Sequence, residues 1–411
     1  MSFIKYHHIM TTEQKQLILG TVPVLREHGV ALTSHFYQRM FTHNPELKHI
    51  FNMGNQKNNK QQQALAMAVL AYAEHIEDPS VLLPVVNSIG HKHTSLDIRP
   101  AHYAIVGQHL IASIGEVLGD AATPELLEAW AAAYAQLAGL MSGHEQKLYD
   151  VQTNQRGGWS GWRPFTIKRK VQESEEITSF YLYPTDGGEV SKYLPGQYIS
   201  LRLFLPELNL LQPRQYSISC APNHEYYRIS VKRERKPQHA DGMISNRLHD
   251  YIHEGDNLEL TAPAGTFVLK EEEFAGPKVF ISGGVGQTPL MAMLESLVSK
   301  DHSGSPITWI HGCRSEAVHA FKDRIAELGA INNQVKRHIF YENVQSGLDN
   351  AHLGMVDLEQ IEEDVLLDNA AYYICGPSPF ITKHYNYLRE KGVTMDAIHF
   401  EEFGPASLQF S

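Results

Sequence analysis

The sequence predicts three parts in tandem: an all-α part, an antiparallel β-barrel, and a doubly wound α/β part on a parallel sheet. Two observations carry this. The hydrophobic period is helical to about residue 150, falls to two after residue 159, and from Pro277 gives way to alternating strand-like and helix-like stretches. A chain of 411 residues is also too long for one ordinary core.

The first part, 1–150, shows five to eight helical stretches with short connections and no strand candidate. Thr11-Thr12 and Ser80 are candidate helix caps, and Thr123-Pro124-Glu125 sets cap, N1 proline and acidic first turn in order. Residues 151–158 (Gln152-Thr153-Asn154-Gln155-Arg156-Gly157-Gly158) read as a linker.

The second part, 159–270, has period two. Ile199, Leu201, Leu203 and Leu205 alternate with Tyr198, Ser200, Arg202 and Phe204, and further short strands at Tyr216–Ser219 and Tyr227–Val231 suit a small barrel. In the third part, 271–411, strands at Lys278–Ser282, Ile307–Gly312, Lys336–Tyr341 and Tyr372–Gly376 alternate with helices, as in a doubly wound sheet. No internal repeat is visible.

Composition narrows the function. With 43% hydrophobic and 20% charged residues the chain is globular, and no apolar run is long enough to span a bilayer. A net charge of -11 argues against nucleic acid or an anionic membrane as partner. Met1–Met10 lacks the order of a signal peptide, and three scattered cysteines suggest neither disulfides nor a thiolate cluster. A cytoplasmic protein is expected.

Helical phase separates core polar residues from surface ones. Leu82, Val86, Ile89 and His93 share one stripe, whereas His91 follows Asn87 and Ser88 on the wet face. Trp130, Tyr134, Leu137, Met141, Glu145 and Leu148 form another, so Glu145 is expected to be buried and to need a donor. A metal-ligating imidazole N–H is such a donor. Tyr37 lies among Thr33, Phe36, Met40 and Phe41, and Gln61 precedes Leu65, Val69, Tyr72 and Ile76. Together they suggest an apolar cavity with a few hydrogen-bonding groups.

The run His35-Phe36-Tyr37-Gln38-Arg39-Met40-Phe41-Thr42-His43-Asn44-Pro45-Glu46-Leu47, then Phe51, then His93-Thr94-Ser95, resembles the globin domain of bacterial flavohaemoglobins. The resemblance extends over nearly the whole chain. It implies a haem b globin in which His93 is the proximal iron ligand, with Tyr103 and Glu145 hydrogen-bonding around it. Tyr37 would be the distal hydroxyl that stabilises bound dioxygen, with Gln61 and Leu65 lining the same pocket. Phe51 would stack on the haem edge, and Lys92 matches a position that tunes the redox potential.

In the barrel, Arg214-Gln215-Tyr216-Ser217 offers a guanidinium for a pyrophosphate, an aromatic for a flavin ring and a hydroxyl for its polar edge. With Pro195-Gly196-Gln197-Tyr198, Val231-Lys232-Arg233-Glu234 and Gly242-Met243-Ile244-Ser245-Asn246-Arg247-Leu248-His249, it resembles the FAD-binding barrel of the ferredoxin-reductase superfamily. That implies Tyr198 and Arg214, Gln215, Tyr216 and Ser217 as FAD contacts.

Gly283-Gly284-Val285-Gly286-Gln287 joins a strand to a helix opened by Thr288-Pro289, an arrangement that admits a pyrophosphate. The superfamily resemblance puts the loop Cys375-Gly376-Pro377 beside the nicotinamide, with Cys375 a marker of position. It makes Glu401 a redox-tuning acid in a closing segment (Glu402, Phe403, Gly404, Pro405) that folds over the flavin. Arg314 could face a 2'-phosphate, which leaves NADH and NADPH both open.

The resemblance implies an NAD(P)H- and dioxygen-dependent nitric oxide dioxygenase, with hydride passing to FAD and single electrons to haem. The alternatives are an NAD(P)H oxidase or lipid-hydroperoxide reductase, and a non-enzymatic oxygen or redox sensor. Expected partners are O2 and nitric oxide, with a lipid or small apolar ligand as a further occupant of the distal pocket. A monomer without membrane insertion is expected.

Overall fold

The computed structural model describes residues 10–57, 59–234, 242–299, 304–343 and 351–403. The first stretch is helical: α1 (Thr12–Gly20), α2 (Val22–His43), α3 (Met53–Lys57), α4 (Lys60–Glu74), α5 (Leu83–Thr94), α6 (Pro100–Leu118) and α7 (Pro124–Asn154). Thr11 caps α1 in a reciprocal box with Gln14. Thr123 accepts from the Leu126 amide at the start of α7. Ser80 is not a cap: Asp78 accepts from its backbone N–H and opens the 3-10 turn Pro79–Leu82. The expected linker is partly helix, because nothing between Asp150 and Asn154 breaks the period of α7.

The strands β1 (Arg163–Gln172), β2 (Ile177–Pro184), β3 (Tyr198–Leu205), β4 (Leu210–Ser217), β5 (Tyr227–Lys232) and β6 (Asn257–Leu260) form a sheet in the order β4-β3-β6-β1-β2-β5. Bridges from Ile218 to Ile229 and from the Ser219 amide to the Arg228 carbonyl close it into a barrel. α8 (Met243–Asp250) follows β5. At its start the Ser245 hydroxyl donates to the Gly242 carbonyl and the Asn246 amide to the Glu234 carbonyl.

β7 (Lys278–Gly283), α9 (Gln287–Ser299), β8 (Ile307–Cys313), α10 (Lys322–Ile331), β9 (Val335–Tyr341), β10 (Ala351–Leu353), α11 (Glu362–Val365), β11 (Ala371–Gly376), α12 (Ser378–Glu390) and β12 (Ile398–Glu402) complete the described chain. The strands pair in parallel in the order β10-β9-β8-β7-β11-β12. That order reverses at β7, so the carboxyl ends of β7 and β11 flank a switch point where such sheets bind ligands.

Packing divides the chain into two compact units. One holds Met1–Asn154 with the hairpin Arg202–Pro213, and the other holds Gln155–Leu201 with Arg214–Ser411. The first has a core of Phe36, Met40, Ile114 and Trp130. In the second, Ile177, Phe267 and Leu269 from the barrel share a core with Phe280, Trp309 and Tyr373 from the parallel sheet. The expected boundary at residue 270 therefore falls within a continuous core. Among the described residues no helix is long and apolar enough to cross a membrane.

Candidate functional site

α5, α6 and α7 bring three polar side chains together inside the helical unit. Glu145, only 2% exposed, lies on the buried seam of α7 as its phase predicts. Its Oε1 accepts from the Tyr103 hydroxyl at 2.6 Å and from His93 Nδ1 at 2.7 Å. Nδ1 also lies 3.0 Å from the Tyr103 oxygen. A carboxylate can only accept, so Nδ1 carries the hydrogen and the Nε2 lone pair is free. Nε2 has no protein partner among the described residues.

The triad is held from outside. The Tyr134 hydroxyl donates to the Tyr103 carbonyl at 2.6 Å, and the amides of Leu96 and Ile98 both donate to the His93 carbonyl at 3.0 Å. Burial and the Glu145 carboxylate hold the Tyr103 phenol well above its usual range, so it remains a donor.

Among the described residues no group of three or more histidine, cysteine or acidic side chains is arranged to hold a metal. An ion at His93 must then bring its remaining coordination with it, as the iron of a porphyrin does. His91 is not on the wet face expected of it. It packs towards His144, and burial pushes its pKa down to about 4. It bonds neither Glu145 nor Tyr103. Lys92 is half-buried, with its ammonium pushed down by burial.

Tyr37 is buried in α2, and its ring meets Phe41 and Phe51 at centroid distances of 5.9 Å each. Burial raises its pKa far above the ordinary phenol value, while a hydrogen bond to Gln61 opposes the rise. Gln61 thus faces Tyr37, whereas Gln62 turns into the core and donates to Gln56 at 2.9 Å. Leu65 is partly buried against the same core. Tyr37, Phe51 and Leu65 thus belong to one core, with Gln61 bonded to Tyr37.

In the other unit, Arg214 and Tyr216 alternate along β4, and burial pushes the Arg214 guanidinium down and the Tyr216 phenol up. Gln215 between them is exposed, Ser217 is buried, and Tyr198 is half-buried in β3. At the sheet edge, Cys375 pairs with Ser282 on one side and Glu401 on the other. The loop after β7 is set by close approach. A Cβ on Gly286 would lie 2.1 Å from the Cys375 carbonyl oxygen, and Gly284 has φ +55.

Cys375 is fully buried, and burial and Glu401 push its thiol up, which disfavours the thiolate. Gln287, at the start of α9, is also fully buried, with neither end of its amide partnered among the described residues. An unpaired buried amide at a helix start beside a glycine turn fits an extended anionic ligand such as a dinucleotide. Val285, Gly283 and Gly376 line the same edge, followed by Pro377. The Glu402 carboxylate accepts from the Ser378 hydroxyl. Phe403 is exposed, and Gly404 and Pro405 lie outside the described residues. Arg314 forms an ion pair with Glu176.

Glu401 is partly covered as a residue, but its Oε2 atom is sealed without a partner among the described residues, and burial raises its pKa to about 8. The folded chain therefore keeps a proton that the unfolded chain loses near its ordinary 4.5. Stability falls as pH rises between those values. Glu401→Gln removes that slope. Thermal melts from about pH 5 to about pH 9 are expected to show the variant gaining on the parent as pH rises. Parallel profiles would refute the assignment.

One residue escaped sequence reasoning. Gln212 in β4 is buried and bonds to the backbone on either side of Phe51. No periodic signal announces a partner so far away in the chain.

Residues 34–141 match the Globin family model, and residues 280–385 match the Oxidoreductase NAD-binding domain model. A flavohemoprotein of Bordetella parapertussis is 52% identical over 401 residues, covering 96% of this chain and 99% of its own. One from Rhizobium meliloti is 47% identical, covering 97% and 99%. The crystal structure of a flavohemoglobin from Malassezia yamatoensis with bound FAD and haem superposes at a TM-score of 0.85 with 26% identity, covering 96% and 99%. The FAD/NAD-binding domain of a nitric oxide dioxygenase from Vibrio cholerae superposes at 0.54 with 37% identity, over 59% of this chain and 99% of that one.

Proposed function

The chain belongs to the flavohemoprotein family, a family of oxidoreductases, and from that membership we propose that it is an NAD(P)H- and dioxygen-dependent nitric oxide dioxygenase. Bound haem b supplies the iron where dioxygen and nitric oxide react, and FAD and NADH or NADPH supply its electrons. For each NAD(P)H oxidised, two nitric oxide and two dioxygen molecules give two nitrates and a proton. The observation that carries this reading is the contact of His93 Nδ1 with Glu145 and Tyr103. It fixes the tautomer and leaves Nε2 to hold a haem iron, for which the imidazole would be a stronger electron donor, favouring O–O chemistry over storage.

The remaining residues have roles of binding and orientation. Tyr37 keeps its phenolic proton because burial disfavours ionisation, so it offers a donor to an anionic oxygen species. Gln61 orients that hydroxyl, and Phe51 flanks the same pocket. Arg214, Tyr216 and Ser217 with Tyr198 hold the flavin, and the turn Gly283–Gln287 admits the nicotinamide dinucleotide. Glu401 holds a proton near neutrality at the edge of the sheet.

Nitrate formed per NADH under air, after rapid mixing with nitric oxide, tests the reading. Nitric oxide consumption no faster than NADH oxidation without nitric oxide would leave an oxidase or hydroperoxide reductase in its place. Tyr37→Phe should release dioxygen faster, by roughly tenfold to a hundredfold, as for a lost hydrogen bond to a charged partner. An unchanged dissociation rate counts against the distal hydroxyl.

A further inference from the structure

We propose that Glu295 is a positioning residue for hydride transfer, clamping the helix that follows the dinucleotide turn to the segment that continues from the flavin contacts. Resting on the cofactor assignment above, the clamp lies wholly within the unit that holds barrel and parallel sheet. α9 starts at Gln287, directly after the glycine turn. About two turns further along, Glu295 is 7% exposed, a depth that carboxylates reach only when paired.

Both of its oxygens are used. Oε2 accepts from the Ala221 amide at 3.0 Å. Oε1 accepts from Arg324 Nε of α10 at 3.0 Å and from a terminal nitrogen of Arg228 at 3.4 Å. Ala221 follows closely on Ser217, the last expected flavin contact of β4.

Arg228 completes the clamp from β5 and is as deeply buried as Glu295. Its Nε donates to the Ser219 hydroxyl at 3.1 Å, and a terminal nitrogen donates to the Ser219 carbonyl. The guanidinium carbon lies over the Phe321 ring, 5.3 Å from its centroid. Phe321 precedes α10 with φ +62, a left-handed conformation that bulky side chains rarely adopt. Such strain persists only where the surroundings over-determine it. One carboxylate thus ties α9 to α10, to β5 and to the segment after β4.

The apolar core shared by Ile177, Phe267 and Leu269 with Phe280 holds barrel and sheet together, but apolar contact has no direction. A buried ion pair adds little stability over apolar residues of similar volume, because desolvation offsets the attraction. What it adds is a single arrangement in which the charges and the Ala221 amide all meet. Hydride transfer depends on such an arrangement, since misplacement by about 1 Å can cost roughly a hundredfold in rate.

In the step served, a hydride leaves C4 of the dihydronicotinamide for N5 of the flavin. The nicotinamide loses two electrons, the flavin gains them, and a proton from solvent completes the reduced ring. Glu295 and Arg228 exchange neither electrons nor protons with either partner.

The test uses the full chain loaded with haem and flavin, mixed without oxygen with NADH or with NADH deuterated at the transferring position. The double variant Glu295→Leu, Arg228→Met removes both charges together, so neither is left buried and unpaired, while Arg324 keeps Glu327. At saturating NADH and well below the melting temperature, flavin reduction should slow roughly tenfold or more, with the deuterium effect retained. NAD+ affinity by calorimetry should stay within about twofold, because the glycine turn is untouched. Hydrogen exchange at the Ala221 amide should quicken.

An unchanged limiting rate overturns the proposal, and so does a slowed rate without a deuterium effect. Weaker NAD+ binding at a parental limiting rate would assign Glu295 to binding, and loss of flavin would assign it to flavin retention; either overturns it. If the double variant fails to fold, Glu295→Gln keeps an acceptor for Ala221 and removes the charge. Intermediate slowing is then expected, and parental kinetics overturn the idea. A parent whose flavin NADH does not reduce would instead sink the cofactor assignment, and the clamp with it, before any variant is made.

Discussion

Replacing His93 by alanine should remove the Soret band from the purified protein, leave its flavin spectrum in place, and reduce nitric oxide consumption to background. His93 is the side chain of the triad that keeps an unprotonated ring nitrogen for a metal, and no alternative cluster is arranged to hold the iron among the described residues. Its neighbour His91 cannot substitute, because it turns towards His144. The flavin spectrum should survive because the barrel and parallel sheet share a core separate from that of the helical unit. Absorption spectra of parent and variant at equal protein concentration decide the matter. A Soret band of parental intensity sinks the ligand assignment.

Glu145→Gln should give the second largest loss, roughly tenfold to a hundredfold in turnover, the range found when a group orienting a metal ligand is replaced. The amide oxygen can still accept from Tyr103 and from Nδ1, so the fold and the haem should be retained. What disappears is the negative charge that draws the Nδ1 hydrogen away from the ring. The iron–histidine stretch measured by resonance Raman should fall, as for a weaker donor. Glu145→Leu goes further: it leaves the Tyr103 hydroxyl and Nδ1 without their shared acceptor, costing about 1–3 kcal/mol for each buried group left unpaired. A glutamine variant with parental frequency and turnover would show that the carboxylate acts only as a spacer.

Much of this was legible in the sequence wherever a residue's role follows from its phase. Glu145 falls on the apolar seam of α7, and the strands from Lys278 onward follow from alternating periods. Phase failed where a tertiary neighbour overrides it. His91 has a polar side of α5 to itself in projection, but α7 covers that side with His144. Gly90, where a Cβ would come within 2.6 Å of the His144 ring, marks the same close approach. Ser200 has the parity of an outward residue and is nonetheless buried, beneath Thr261 of the neighbouring chain segment. Ser80 resembles a cap, but Asp78 accepts more strongly two residues earlier. Gln212 was invisible for a different reason. Its partners stand about 160 positions away in the chain, and no local pattern encodes such a distance.

The hairpin Arg202–Pro213 also bears on how this chain can be taken apart. A cut after Asn154 separates the helices from the segment that satisfies the Lys48 carbonyl and the Met53 amide. The excised piece would carry an open seam beside Phe51, and the excised reductase a strand whose buried glutamine meets water. Hybrids made by exchanging reductases at the linker would join a Gln212 and a His49 from different parents. An exchange in which the hairpin travels with the helices it fastens keeps these bonds.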